Sequence, residues 1–339
     1  MSGSGTSRTD RLIFAVVQLL CLLLYRSLRR EFRRRRGRLP NLAQPTEHTD
    51  LVQWRKIFDH DPRFTLFSDK LATKYWAAEH FPDIRVAMPI WVGTTPEELP
   101  DALVVPGNVV KASHGFRMNH FPERTPLPRT ELNALLHSWL QRSHYIQDQW
   151  AYRDIPRRLF VEPRIGNGAG LVEYTFRSHD GVVSAGFVSL DQHADSERQA
   201  HFDGAGRRLP NKLGVPDTMH LPADYVLPPS YFEAMGLAQR LSRGIDHVRV
   251  DFLVDGADIY LGEMTVYPSA GYGREREASN APLIERAWFE AFHNCWFLSH
   301  PQPWPLSLYQ GAFRRWVVEH RRVLSAAPSA APAPPAPVR

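Results

Sequence analysis

Residues 247–273 read His-Val-Arg-Val-Asp-Phe-Leu-Val-Asp-Gly-Ala-Asp-Ile-Tyr-Leu-Gly-Glu-Met-Thr-Val-Tyr-Pro-Ser-Ala-Gly-Tyr-Gly. Val248, Val250, Phe252 and Val254 alternate with Arg249, Asp251 and Leu253, and after the Asp255-Gly256 turn signal a second run carries Ile259, Leu261, Glu263 and Thr265 in one phase. The pattern predicts a β-hairpin in which Arg249 and Asp251 share a face, as do Glu263 and Thr265. A five-residue loop over 255–259 pairs Val254 with Tyr260 and sets Asp251 opposite Glu263. Directly opposed residues have Cβ atoms about 4.5–5.5 Å apart, so two carboxylates placed this way repel unless a cation lies between them. Mg²⁺ suits that position, being a hard ion held through one or two carboxylates and substrate phosphates. Arg249 is placed to hold a transferring phosphoryl group or a developing oxyanion. An ordinary exposed hairpin with a charged outer face is the competing reading.

At 339 residues, 43% hydrophobic and 11% aromatic, the chain can bury a sizeable core and hold two or three subdomains. Its net charge of +5 is unevenly spread. Residues 1–38 hold ten arginines against Asp10 and Glu31, which leaves the rest slightly acidic. A nucleic-acid partner is therefore not expected, because the positive charge does not cover a domain face. Only five of the 41 basic residues are lysine, so each lysine is informative. Cys21 and Cys295 are too few for a disulfide framework and show no zinc-ligand spacing, which fits a reducing, cytoplasmic setting.

Residues 12–25 form a 14-residue apolar run, short of the roughly 20 that span a bilayer as a helix. Eight arginines follow between Arg26 and Arg38. The charge follows the apolar region and no cleavage site is evident, so a secretory signal is not expected. A peripheral segment on the anionic inner face of the cell membrane is expected instead, against the alternative of a helix docked on the protein's own body. Helical patterns run from Thr46 to Trp54 and from Phe64 to Phe81, with Asp59-His60-Asp61-Pro62 between them and Ser68-Asp69-Lys70 near the start of the second. A strand is predicted at 89–92, and another at 108–111 that delivers Lys111 into the small-residue turn Ala112-Ser113-His114-Gly115, with Arg117 beyond. A helix over 130–145, a strand over 158–165, a hairpin over 171–191 turning at Asp180-Gly181, and helices over 230–243 and 281–298 complete the pattern. Residues 192–229 read as loop-rich, and His193, His201 and His220 there lack ligand spacing. The Ala/Pro-rich tail is expected to be disordered.

Four segments in order, Thr-Glu…Leu-x-x-Trp-x-x-x-x-Asp-x-Asp-Pro (46–62), Asp-Lys (69–70), Val-Lys-x-x-His-Gly (110–115) and Arg-Val-Asp-Phe…Tyr-Leu-Gly-Glu-Met-Thr (249–265), resemble the TupA-like ATP-grasp proteins of teichuronopeptide and other surface-polysaccharide synthesis. The resemblance covers about residues 40 to 290. It implies an α+β ATP-grasp fold, with two α+β subdomains holding ATP between antiparallel sheets after a helical N-terminal region. It also implies an ADP-forming ligation in which ATP phosphorylates a carboxylate and an amine then forms an amide. On this resemblance Lys70 and Lys111 bind ATP phosphates, and Glu162, Pro163, Arg164 and Ile165 form the adenine hinge. Glu173 is a candidate for the ribose hydroxyls. Asp251, Glu263 and Thr265 hold Mg²⁺, with Thr265 standing where asparagine is usual, and Arg249 steadies the acyl phosphate and the tetrahedral intermediate. The implied partners are ATP, a carboxylate-bearing sugar or peptide acceptor, an amine donor and an anionic membrane surface.

The corresponding organisation is a membrane-associating segment over 1–38, a helical region over 39–88, a small ATP-binding subdomain over 89–165, a large subdomain over 166–322 and a tail over 323–339. Two other classes stay open from sequence. One is a metal-dependent glycosyltransferase using Asp59 and Asp61; the other is a non-catalytic ATP-binding member of a polysaccharide complex.

Overall fold

The computed structural model describes residues 7–143, 148–166, 171–191, 196–211, 215–273 and 280–326. Helix α1 (Arg8–Leu24) starts at Ser7, whose hydroxyl accepts from the Asp10 N–H, and α2 (Arg26–Arg36) leaves it at 94°. Helix α3 (His48–Phe58) is buried along its whole length. The single helix expected over 64–81 is two, α4 (Pro62–Ser68) and α5 (Lys70–His80). Asp69 causes the break: its carboxylate accepts from the N–H groups of Leu71 and Ala72 and so caps a new helix.

Strands β1 (Trp91–Gly93), β2 (Asn108–Ala112), β3 (Asn119–His120) and β4 (Leu159–Pro163) form one antiparallel sheet in the order β1-β4-β2-β3, with α6 (Arg129–Gln141) between β3 and β4 in the chain. Residues 144–145, the end of the helix expected to reach Tyr145, lie outside the described residues. Strand periodicity sorts this sheet cleanly. Val110, Ala112, Leu159 and Val161 pack with Leu132, Leu136 and Trp139 of α6, which leaves Val109, Lys111, Phe160 and Glu162 on the opposite face.

The second sheet contains β5 (Val172–His179), β6 (Val182–Leu190), β7 (Arg198–Asp203), β8 (Val248–Asp255) and β9 (Asp258–Thr265), antiparallel in the order β7-β6-β5-β8-β9. β7 lies inside the stretch read as loop, with His201 on it, whereas His193 lies outside the described residues. Helix α7 (Pro229–Leu241) covers one face of this sheet, where Tyr231 meets Tyr174, Phe176 and Phe202. Helices α8 (Ala281–Ala291), α9 (Trp296–Ser299) and α10 (Leu306–Ala326) follow. α10 continues four residues into the stretch assigned to the tail, because Tyr309, Phe313 and Val317 give it a buried stripe.

Arg55 joins the helical region to the large sheet, donating from Nη2 to Asp246 at 2.5 Å and from Nη1 to the His247 carbonyl at 2.7 Å. Trp288 of α8 donates to the other Asp246 oxygen at 2.8 Å. The N-terminal helices are docked on the same body. Phe14 meets Tyr309 edge-on, Arg315 pairs with Asp10 at 2.5 Å, and Leu28 and Phe32 are buried.

Candidate active site

The opposed carboxylates form as expected, by a different route. The hairpin turns in two residues, Gly256 and Ala257, with Asp255 paired to Asp258 and Val254 paired to Ile259. Gly256 has φ +62° and Ala257 is not among the residues with positive φ, the pattern of a type II′ turn. The tighter turn alone would throw Asp251 out of line with Glu263. A β-bulge at Gly262 restores the match: Phe252 pairs with Leu261, and Asp251 with Glu263. A Cβ at Gly262 would lie 3.2 Å from the Asp251 carbonyl oxygen, a tight contact that glycine avoids.

Arg249 donates to both Asp251 oxygens, from Nε to Oδ1 at 3.0 Å and from Nη2 to Oδ2 at 2.5 Å, and Thr265 donates to Glu263 at 3.2 Å. On β5, Thr175 lies opposite Asp251 and Glu173 opposite Leu253, so Glu173 joins the Asp251 face. Burial pushes the Glu173 carboxyl up to about 8, with Asp251 adding to the rise. Burial likewise raises Asp251, against the pull of Arg249. For Glu263 the balance reverses: burial pushes it up, but Lys70 and Arg249 hold it below the usual carboxylate range. Asp251 and Glu263, opposed across the ladder, are a carboxylate pair of the kind that holds a hard divalent cation together with substrate phosphates, and Glu173 stands on the same face.

The lysines converge on the same space. Lys70, Lys74, Lys111, Glu162, Glu173, Arg249, Asp251 and Glu263 line one cavity of about 1000 Å³ between the sheets, at the upper end of the range typical of ligand pockets. Lys70 donates through its N–H to the Ser113 carbonyl at 3.1 Å and through Nζ to the Gly115 carbonyl, which fixes the head of α5 against the loop after β2. Glu162 stands within the cavity lining. Its carboxylate meets Lys111 at 2.6 Å and Lys74 at 2.9 Å. Pro163 ends β4, and Arg164 donates its N–H to the Gly107 carbonyl and its side chain to Glu123. Ile165 lines the cavity, as does Arg124, whereas Arg117 is exposed and absent from the lining. Sequence reasoning passed over Lys74 and Arg124. The signal for Lys74 was its position one turn after Lys70 on the same helix.

Asp59 and Asp61 take no part in this cavity. Asp59 is fully buried, ion-paired with Arg55 and accepting the Phe297 N–H at 2.9 Å, while Asp61 caps α4 and pairs with Arg63. Asp61 is thus committed within the fold, and Asp59 sits in a fully buried cluster with Asp246 and Cys295 away from the cavity, which counts against the glycosyltransferase alternative.

Residues 123–281 match the family model described as TupA-like ATPgrasp. Over this stretch, just under half of its length, the chain is similar to the TupA-like ATP-grasp family. The match takes in Glu162 to Ile165, Glu173 and the whole metal-type hairpin, while Lys70, Lys74 and Lys111 precede it. No curated protein sequence matches the chain. Solved structures similar to this chain include D-alanine–D-alanine ligase from Bacillus anthracis complexed with ATP, at 18% identity over 76% of this chain and 68% of that one, TM-score 0.36. The Helicobacter pylori D-alanine–D-alanine ligase has 16% identity over 71% and 69%, TM-score 0.39. The ATP-grasp ligase PsnB, complexed with a phosphomimetic variant of its minimal precursor, Mg and ADP, has 12% identity over 72% and 66%, TM-score 0.37.

Proposed function

We propose that the chain is an ATP- and Mg²⁺-dependent, ADP-forming carboxylate–amine ligase. The observation that carries this reading is the meeting, in one cavity between the two sheets, of three of the protein's five lysines with the opposed Asp251 and Glu263. Lys70 and Lys111 receive the phosphates, and the base lies toward Ile165 and Leu171 at the far lining. Asp251, Glu263 and Thr265 would hold Mg²⁺, with Glu173 beside them; bound there, the ion neutralises phosphate charge. A substrate carboxylate oxygen attacks the γ-phosphorus, the bond to ADP breaks, and an acyl phosphate forms. The amine nitrogen then attacks the acyl carbon, phosphate leaves, and an amide remains. Arg249, freed from part of its hold on Asp251, steadies the negative oxygens of both steps.

The family resemblance supports a carboxylate-bearing sugar or peptide as acceptor and a role in surface-polysaccharide or capsule synthesis. Placement on the inner membrane face is supported by α1, where Leu12, Val16, Leu19, Leu20, Leu23 and Leu24 are 47–74% exposed, and by the exposed arginines of α2. Among the described residues no single helix is long and apolar enough to cross a membrane; the bent pair α1 and α2 passes that test together. The test of the activity is ADP release by the full-length protein with Mg²⁺-ATP and uronic-acid sugars paired with amino acids. Release that requires both substrates is expected, and release indifferent to both contradicts the ligase reading.

A further inference from the structure

Lys74 and Lys111 reach Glu162 from opposite sides, α5 on one and β2 on the other, and each takes one carboxylate oxygen: Lys111 Nζ lies 2.6 Å from Oε1 and Lys74 Nζ 2.9 Å from Oε2. The two lysines are not equivalent. The Lys111 side chain is 21% exposed and lines the cavity from the strand, whereas that of Lys74 is 8% exposed and that of Glu162 is 5%. A carboxylate buried this deeply cannot lose all its cations cheaply. For Lys111 to serve a nucleotide phosphate it has to leave Glu162, and something has to remain behind.

We propose that Lys74 is the positioning residue that releases Lys111: it stays on Glu162 as resident counter-ion while Lys111 Nζ moves from Glu162 to a phosphate oxygen. The proposal rests on the ATP reading given above. Lys70 does not take this place, because its Nζ is fastened to the Gly115 carbonyl while the two Glu162 oxygens pair with Lys111 and Lys74. Without Lys74, Glu162 keeps Lys111 as its one close lysine, and ATP must compete with a buried carboxylate for it.

The test uses full-length protein and calorimetric titration with Mg²⁺-ATP. Lys74→Met is expected to weaken binding by at least about tenfold and Lys74→Arg to retain it within about threefold. Lys74→Met combined with Glu162→Gln is expected to recover most of the loss, since a neutral amide no longer holds Lys111; a merely structural role for Lys74 gives no such rescue. Wild-type affinity in Lys74→Met, or no recovery in the double variant, overturns the proposal. Absence of ATP binding by wild type removes the ATP reading itself, and this inference with it. A second measurement serves if Lys74→Met fails to fold. Acetylation of wild-type lysines, read by mass spectrometry, should slow at Lys111 on adding Mg²⁺-ATP and stay unchanged at Lys74; equal behaviour of the two contradicts the exchange.

Discussion

Lys70 donates from Nζ to the carbonyl of Gly115, so the lysine at the head of α5 also fastens the loop leaving β2. Lys111, by contrast, is held by a side chain that has a second lysine. Lys111→Ala should therefore weaken ATP binding more than Lys70→Ala, losing a charged contact worth about 1.5–3 kcal/mol, or roughly tenfold to hundredfold in Kd. Calorimetric titration of both variants with Mg²⁺-ATP decides it. Unchanged affinity in both removes the phosphate roles.

The N-terminal segment is part of the fold as well as a candidate membrane contact. Deleting residues 1–38 takes the buried Phe14, Leu28 and Phe32 out of the core, at about 1.5–3 kcal/mol for each large side chain. A truncated protein should accordingly be destabilised or aggregate rather than remain a soluble body. Leu19→Glu with Leu23→Glu, both on the exposed side of α1, should release the full-length protein from vesicles containing anionic lipid while leaving its melting temperature within a few degrees. Undiminished vesicle binding by that variant would count against the interfacial reading.

Acid should unfold the protein partly through its buried histidines. His179 is 1% exposed, bonded to the Asp246 carbonyl and the Ser184 hydroxyl, and burial pushes its imidazole down to about 3. The unfolded chain takes up this proton near the ordinary value of about 6.5 and the folded chain does not. The contribution is thus fully present above about pH 6.5 and is lost by roughly 1.4 kcal/mol per pH unit between there and about 3. His179→Gln should flatten this dependence. Chemical unfolding at pH 7.5, 6 and 5 is the measurement, and parallel curves for variant and wild type would contradict the account.

How much of this could be read in the sequence depended on which physical rule was local. Alternation along 248–254 fixed the faces of β8, and the β-branched run before Lys111 marked a strand delivering charge to a turn. The register was right for a compensated reason. A five-residue loop and a two-residue turn with a bulge at Gly262 both oppose Asp251 to Glu263, and the signals for the second are Gly256, which suits a type II′ turn, and Gly262, an isolated glycine within a strand. The pairing of Glu162 with Lys74 depends on which sheet face meets α5, a tertiary fact, and that is why Lys74 drew no notice. β7 was missed because Arg198, Gln199 and His201 dilute its apolar alternation, and α10 because five residues of proline-rich chain precede it.

The central claim is that Asp251 and Glu263 form a cation site for nucleotide. Thermal unfolding of wild type, Asp251→Asn and Glu263→Gln, each with and without Mg²⁺-ATP, tests it most directly. Without ligand, Asp251→Asn should melt close to wild type, since burial already disfavours that charge, whereas Glu263→Gln should melt lower, because Lys70 and Arg249 favour the ionised Glu263. With Mg²⁺-ATP at about 100 times Kd, wild type should gain about 2.7 kcal/mol and both variants much less, because a ligand stabilises only the folded state that binds it. Equal stabilisation of all three proteins by Mg²⁺-ATP would contradict the site.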